Sequence, residues 1–448
     1  MSLTTSIPLG QMKGGPSSLA AFNLILKEFY EPATRDLLNR KRILSRMIRE
    51  NTADVDASGK YAVVSLNVGG NEGTGSVAEG ALLPDPGKQD YKVAKYDTRY
   101  SYMTVMFTGP SVNASRNDRG SFLRIMDAEM RGAARDVQHE NNRVLFGDGT
   151  GRLATVAADL GGGQYQMKDA GGIVSTGLGT QYLRKKMRIC AFDDDSDDIG
   201  AATFRVTAGG ERGAIITDVD YSAGTITLDN AIVDLQEDDY IFRVSEISST
   251  VLQNATSRGN DPFGIAAIVD DGNPGYVDGA HGYAAGVGEV DASAEPAWQA
   301  AVLDNGGIAV PFAPDMLQQS ADFVDQHSDG AVGVYLTTHG IRRQYVNNEI
   351  AAKRYPGTMS YDGGFKAISH NGRPMIVDKD CQRGRIYGLD LETISRYMAE
   401  DYHWLMDGAS YLSRLPGFDV YYATMARYWQ VGTWARNRNV LITNIQDT

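Results

Sequence analysis

From Tyr61 to Phe107 apolar and polar residues alternate, first in YAVVSLNV and then in YKVAKYDTRYSYMTVMF; between the two runs lies the glycine- and proline-rich GGNEGTGSVAEGALLPDPGKQD. A period of two marks a strand with one buried face, so the pattern predicts a long two-stranded excursion with a flexible tip. An isolated hairpin of this kind is marginal in water, which implies a partner surface. The period changes to 3.6 over residues 118–146, where Phe122, Met126, Met130, Ala133, Val137 and Val144 recur on one face. Ser115 and Asp118 have capping-box spacing and Gly147 follows the last turn, so this stretch reads as a helix.

Upstream, SLAAFNLILKEFYEPATRDLLNRKRILSRMI has a helical pattern that Pro32 must break or kink. It has too little apolar surface to fold by itself and is expected to lie along something else. Between Gly147 and Pro314 the chain leans towards strands: TFRVTA, AIITDVDY, GTITLDNAIV and DDYIFRVSE come at short spacing with turn residues between them, the mark of a small barrel or sandwich. Further on, PDMLQQSADFVDQH reads as an amphipathic helix, AVGVYLTTHGIRRQYV as strand then helix, and RPMIVDKD and RIYGLD as strands. The chain closes on the aromatic-rich, strand-like DVYYATMARYWQVGTWARNRNVLITNI, and no tandem repeat is present.

With 448 residues, 42% hydrophobic and 22% charged, the chain has apolar material for two or three cores, which excludes disorder as a whole. Its fifty glycines cluster at Gly69 to Gly87, Gly147 to Gly179 and Gly272 to Gly288, read as loop or hairpin territory. A formal charge of −13 argues against neutralising phosphates over the whole surface. The charge is uneven: residues 1–50 carry eight Lys/Arg against four acids, residues 181–250 seven against fourteen. Two cysteines, Cys190 and Cys381, are too few for a disulfide scaffold and suit a reducing setting. The N-terminus lacks a signal-peptide layout and no run approaches a membrane span, so the expectation is a soluble, cytoplasmic protein that starts at Met1 with nothing cleaved from the front.

Catalytic and metal signatures were sought throughout. Gly87-Lys88 has Leu82 where a phosphate-binding loop needs its first glycine, and Gln89 follows the lysine. STGLGTQY fails the dinucleotide pattern at Tyr182, and no G-x-S-x-G elbow occurs. The histidines (His139, His281, His327, His339, His370, His403) show no i, i+4 pair. Asp193 to Asp198, DDDSDD, lacks the glycine and closing Glu of a calcium loop and reads as a solvated acidic turn. Cys190 and Cys381 read as buried small hydrophobes, and the sequons at Asn113 and Asn254 carry no meaning in a cytoplasmic protein. No catalytic, cofactor-binding or metal residue is therefore assigned.

The helix running into NNRVLFGDGTGRLATV (141–156) resembles the spine helix of tailed-bacteriophage major capsid proteins, which ends in an apolar residue, an aromatic and a glycine-rich turn. The order that follows is similar too. PDMLQQSADFVDQ looks like the first axial-domain helix, GVYLTTHGIRRQYV like the next strand and helix, NGRPMIVDKDCQRGRIYGLDLE like the Gly-x-Pro strand and its neighbour, and WARNRNVLITNI like the last peripheral strand. The likeness covers the chain to about residue 156 and again 314–448. Residues 157–313 depart from the minimal pattern, and the cleaved scaffolding segment is missing, a task other members give to a separate scaffold protein.

The resemblance implies an α+β fold: the phage major-capsid fold, shared with encapsulins and the herpesvirus capsid floor, plus an inserted small β-barrel or sandwich. It divides the chain into an N-terminal arm (1–52), extended loop (53–108), spine helix and peripheral domain (109–181), inserted β domain (182–247), connecting insertion (248–313), axial domain (314–409) and peripheral return strand (410–448). It implies a non-enzymatic subunit that self-assembles into hexamers and pentamers, an icosahedral head shell around double-stranded DNA. The partners implied are further copies, a portal protein, a scaffolding protein, a cement or decoration protein, and DNA bound without sequence specificity, with no membrane. The location implied is the virion, assembled in the host bacterial cytoplasm. An encapsulin-like nanocompartment shell is the alternative, and an enzyme sited in the β-rich insertion is a third.

Four finer expectations follow. The basic run NRKRILSRMIR either touches packaged DNA or pairs with acidic neighbours in the shell. Some members of the family cross-link a loop lysine covalently to a neighbour's asparagine; Lys88 and Lys92 lie near the loop tip, where an ordinary exposed lysine is the other reading. The spine stripe is expected to pack on the sheet that holds Val440 and Ile442, and the acidic insertion to fold separately on the shell's exterior.

Overall fold

The computed structural model describes residues 43–447 except 57–58, 72, 81, 109–118, 169–178, 194–203, 251–254, 271–285, 293, 352–356, 362–364, 407–412 and 415–416. Side chains at 107, 119–131, 134, 307, 351, 357–361 and 365–366 also lie outside the description. The architecture is mixed, with few helices and many strands, and divides into two compact units.

The larger unit holds residues 43–99, 142–399 and 429–448. At its centre is a seven-stranded sheet in the order β12 (Ala301–Leu303), β21 (Val440–Ile442), β17 (Ile386–Leu389), β13 (Val334–Thr337), β16 (Arg373–Val377), β15 (Phe365–His370), β14 (Gly357–Tyr361). Parallel and antiparallel pairs mix: β12–β21 and β13–β16 run parallel, β13–β17 and β17–β21 antiparallel. VYLT, IYGL and VLI are buried at every position. Such continuous apolar runs are what a sheet covered on both faces requires.

Side-chain alternation sorts those runs into two layers. Tyr335, Met375, Ile386, Val440 and Ile442 meet Leu317 and Val324 of the helix Asp315–His327, and Ile341 and Tyr345 of the helix His339–Ala351. Val334, Leu336, Ile376, Tyr387, Leu389 and Leu441 point the other way. They join Leu44 and Ile48, which follow the arm, the last turn of the long helix Arg119–Phe146 (Val144, Leu145, Phe146), and Ile265 and Ile268 of the short helix Ile265–Ile268. The long helix therefore meets the sheet on its Leu441 face. Val144 of the spine stripe thus meets the expected sheet through Leu441, while Val440 and Ile442, one position off, turn to the opposite helices. The side chains of Phe122, Met126 and Met130 lie outside the described residues; Val137 is half-buried.

The second body of this unit is a barrel. β5 (Arg152–Gly161), β6 (Gln164–Lys168), β10 (Thr225–Leu228), β9 (Ala214–Asp220), β7 (Arg188–Phe192) and β11 (Tyr240–Arg243) pair in that order, and β11 closes back on β5, with β8 (Phe204–Arg205) hung on β7. Leu153, Tyr165, Met167, Ile189, Ile216, Ile226 and Ile241 fill it. Tyr165 Oη donates to Ile232 O and accepts from Ile232 N, at 3.0 and 3.1 Å. The sequence reading begins this insertion at residue 182, but β5 and β6 supply two of the six closing strands. The barrel therefore starts at Arg152.

The smaller unit holds, among described residues, Tyr100–Thr108 of β4 (Arg99–Thr108), the long helix to Asn141, Glu400–Trp404 of β18 (Ile394–Trp404), β19 (Ser413–Arg414) and Val420–Tyr428 of β20 (Val420–Thr433). β4 and β19 both pair with β20. One face buries Tyr402, Trp404, Ala423 and Met425, and Tyr402 Oη donates to Asn141 Oδ1 at 2.7 Å. On the other face Tyr100 and His403 meet Tyr428 edge-on at 5.2 and 5.3 Å.

Candidate assembly surface

The surface begins as an alternating ribbon. β2 (Tyr61–Gly69) and β3 (Asp90–Asp97) pair antiparallel in the register Tyr61↔Asp97 to Asn67↔Tyr91. A bulge follows where Gly69 faces Asp90, and a Cβ on Gly69 would stand 3.0 Å from that of Asp90. Ala62, Leu66, Ala94 and Tyr96 lie on the inner face and are buried; Val63, Ser65, Asn67, Tyr91 and Val93 lie on the outer face.

The inner face has a cover within the same unit, so part of the partner surface that the hairpin requires comes from this chain itself. Val287, Val290, Ala292 and Trp298 pack on it, joined by Phe263, Ala267 and Tyr397. Tyr96 is the deepest residue: its ring stacks on Tyr397 at 5.7 Å, and its hydroxyl donates to Thr433 O at 2.7 Å and accepts from Thr433 N at 3.2 Å. Gly432 leaves room for that ring, since a Cβ there would come within 2.7 Å of it. Burial pushes the Tyr96 phenol up to about 12, so it stays a neutral hydrogen-bond donor. At the ribbon's edge Lys92 pairs with Glu295 and Lys95 with Glu289, each at 2.9 Å.

The outer face is open, with Val63, Tyr91 and Val93 set among Ser65, Asn67 and Lys95. Tyr91 is 66% exposed and Val93 56%, beside Val63. Beyond the paired strands the tip carries Leu82 and Leu83, 92% and 81% exposed. Single exposed leucines are ordinary, but five large apolar side chains exposed on one ribbon face and its tip make this region the candidate interaction surface.

The remaining sequence candidates separate clearly. The carboxylate of Glu295, by hydrogen bond and charge, raises the Lys92 pKa and keeps its amine protonated, which opposes nucleophilic use; Lys88 stands exposed in the tip. Of the acidic turn, Asp193 lies 3.8 Å from Arg205, and Asp194 to Asp198 fall outside the described residues, as do Asn113, Asn254 and His281. His327 stacks on Phe323, His370 lies beside Tyr345, and His403 beside Glu400 and Tyr428. Among the described residues no group of three or more His, Cys, Asp or Glu is placed to hold a metal ion. Cys190 and Cys381 are both buried, and burial raises both thiols. Of the basic run, Leu44 and Ile48 are buried while Arg46 and Arg49 are exposed.

One junction that local pattern could not announce fixes the end of the long helix. Asn142 Nδ2 donates to Asp378 Oδ1 and Asp380 Oδ2 at 3.0 and 2.6 Å, and Arg143 pairs with Asp261 at 2.5 Å. A Cβ on Gly264 would lie 2.5 Å from the helix's terminal carbonyls at Val144 and Gly147. The one signal for the first contact was the polar NNR triplet inside an apolar stripe.

No protein-family model matches the chain, and no curated protein matches it. Among solved structures it is similar to a cyanophage A-1(L) capsid chain, with 12% identity, 98% of each chain covered and a TM-score of 0.43. A chain of Mycobacterium phage Patience gives 9% identity over 99% of this chain and 95% of that one, TM-score 0.41. An encapsulin complex from Synechococcus elongatus gives 15% identity over 34% of this chain, TM-score 0.26; the match spans about half, 54%, of the encapsulin chain.

Proposed function

We propose that the chain is the major capsid protein of a tailed bacteriophage, a structural, non-catalytic subunit that tiles an icosahedral head shell. The observation that carries this reading is the outer face and tip of the β2–β3 hairpin, where Val63, Tyr91, Val93, Leu82 and Leu83 are offered to solvent. A paired ribbon with its inner face already filled has no intramolecular use for a second apolar face, and a neighbouring copy is the surface that would cover it. Overlapping contacts of this reach bury more area than a flat subunit edge.

In this reading the segments take the roles given by the resemblance, with the barrel beginning at Arg152: arm 1–52, extended loop 53–108, spine helix 109–151, axial domain 314–409 and return strand 410–448. β21 shares its sheet with β13, β16 and β17, so axial and return segments form one folded body. The barrel, acidic in its later half, stands on the exterior, where like charge keeps particles apart. Copies form hexamers and pentamers around double-stranded DNA held without sequence specificity, with a portal, a scaffolding protein and a cement protein as partners, in the virion after assembly in the host cytoplasm. Among the described residues no helix is long and apolar enough to cross a membrane.

The register Asn67↔Tyr91 defines the test, because replacing residues 68–90 by Asn-Gly closes a two-residue turn without slipping the strands. Electron microscopy of the expressed wild type is expected to show closed, procapsid-like icosahedra, and of the variant only soluble subunits. Small cargo-loaded shells would favour the encapsulin alternative, and closed particles of normal size from the variant would show that the loop is not the assembly element.

A further inference from the structure

Part of the cover on the hairpin's inner face is a single stretch of chain, Gly286–Gln299, with two unlike ends; Phe263, Ala267 and Tyr397 supply the rest. Its C-terminal end is fixed to the body of the unit. Trp298 is buried with the Arg436 guanidinium 5.9 Å from its ring, and Arg436 itself is held by the carbonyls of Ala267, Ile268 and Asp270. Ala300 N donates to Asp270 O and Ala301 N to Asn439 O, leading into β12. Inside the segment Trp298 Nε1 donates to Val287 O and Gln299 Nε2 to Ala292 O, so it folds as a closed loop on its own bonds.

The other end touches the hairpin through the buried Val287 and Val290, a glycine turn and two ion pairs at the rim. Gly286, Gly288 and Glu289 all adopt positive φ (71°, 74° and 59°), a tight turn that puts Gly288 directly on β3. A Cβ at Gly288 would lie 3.0 Å from Ala94 Cβ and 3.3 Å from the Tyr96 ring. On either side of that contact sit the exposed pairs Lys95–Glu289 and Lys92–Glu295, of a kind that salt screens readily.

We propose that Gly286–Gln299 is a latch that sets the orientation of the β2–β3 hairpin: its foot is built into the body, and its glycine turn and two ion pairs release the hairpin without unfolding the sheet below. Released, the hairpin keeps its own cross-strand bonds and the Tyr96 contacts with Tyr397 and Thr433 but loses the Val287 and Val290 part of its cover, and a two-stranded ribbon opens more readily when less of it is covered. The latch is independent of the shell reading, because the subunit carries it whether or not copies assemble.

Hydrogen exchange on the purified full-length chain tests it. In Gly288→Val, amides of Ala62–Leu66 and Lys92–Tyr96 are expected to exchange on the order of tenfold faster, with β7, β11 and β13 unchanged. The second variant, Glu289→Lys with Glu295→Lys, alters only side chains at the surface and is expected to fold. In wild type, raising sodium chloride from about 0.05 to about 1 M is expected to speed hairpin exchange severalfold, and in this variant to slow it, because salt then screens Lys–Lys repulsion. Wild-type hairpin protection in Gly288→Val would overturn the latch. So would loss of protection in β7, β11 and β13 as well, since the segment would then be an inseparable part of the whole fold. A charge-reversed variant that keeps the wild-type salt response would remove the ion pairs from the mechanism.

Discussion

In the barrel each of β5, β6, β7, β9, β10 and β11 has a neighbour on both sides, whereas β2 and β3 form a two-stranded sheet. Both are antiparallel ribbons with an apolar face to hide, and they hide it by different means. Closure gives the barrel an interior that its own strands fill, from Leu153 to Ile241, and leaves no sheet edge open on those six. The hairpin borrows its cover from a segment about two hundred residues further along, and keeps a second apolar face in water. Self-sufficiency in one region and dependence in the other is the division of labour that the proposed shell role calls for.

The largest expected effect tests the barrel's independence. A fragment of residues 148–260 contains all six closing strands together with Arg258, whose guanidinium covers Phe192 and Phe242 at 4.7 and 5.9 Å. It is expected to give a dispersed, β-rich NMR spectrum. The fragment 182–247 lacks β5 and β6, leaves β10 and β11 each short of a partner, and is expected to give the narrow spectrum of an unfolded chain. A well-dispersed spectrum from the shorter fragment would show that closure is not what stabilises this region.

How far this division could be read from the sequence follows from where its signals lie. The hairpin was legible because each strand hides one face, and YAVVSLNV alternates accordingly. β5 and β6 were not, because Gly161, Gly162 and Gly163, all at positive φ, form the turn between them and were absorbed into a glycine-rich stretch read as loop. β18 escaped because Ile394, Arg396, Tyr397 and Met398 are all buried, Arg396 by pairing with Glu50, so no alternation survives. The mixed sheet was legible strand by strand, but not its order, which joins β12 to β21 across 140 residues of chain. The assembly surface was half-visible: the exposed tip residues stand in the loop the sequence marks, while the cover over the inner face rests on contacts such as Lys95–Glu289, 194 residues apart.

A pair of truncations sharpens the comparison at the level of single side chains. Ile241 is fully buried in the barrel, and Ile241→Ala is expected to cost about 2–5 kcal/mol of barrel stability, seen as a lower urea midpoint for a probe in β7 or β11. Leu66→Ala removes an equally apolar group from the hairpin's inner face. Its cost is expected to appear as faster local hydrogen exchange in β2 and β3, with the barrel midpoint unmoved. A barrel midpoint that fell in Leu66→Ala would mean that the two regions unfold as one cooperative unit.

The smallest expected effect on the subunit is the most informative about its use. Tyr91 and Val93 leave more than half their surface in water, so Tyr91→Ser with Val93→Ser removes little buried area and no known hydrogen bond of the fold. Surface changes of this kind lie within about ±0.5 kcal/mol, and the subunit's denaturation curve is expected to superimpose on wild type within that range. Assembly is another matter, because an interface draws most of its energy from a few central apolar and aromatic anchors, and this face offers Tyr91 with Val93 next to it on the same face. Closed particles in electron micrographs are expected to disappear while size-exclusion chromatography returns a folded subunit. If the variant still assembles at wild-type concentrations, the outer face of the hairpin is a bystander, and the contact that joins copies of this chain lies elsewhere, with the aromatic face of Tyr100, Tyr102 and Tyr428 the next to remove.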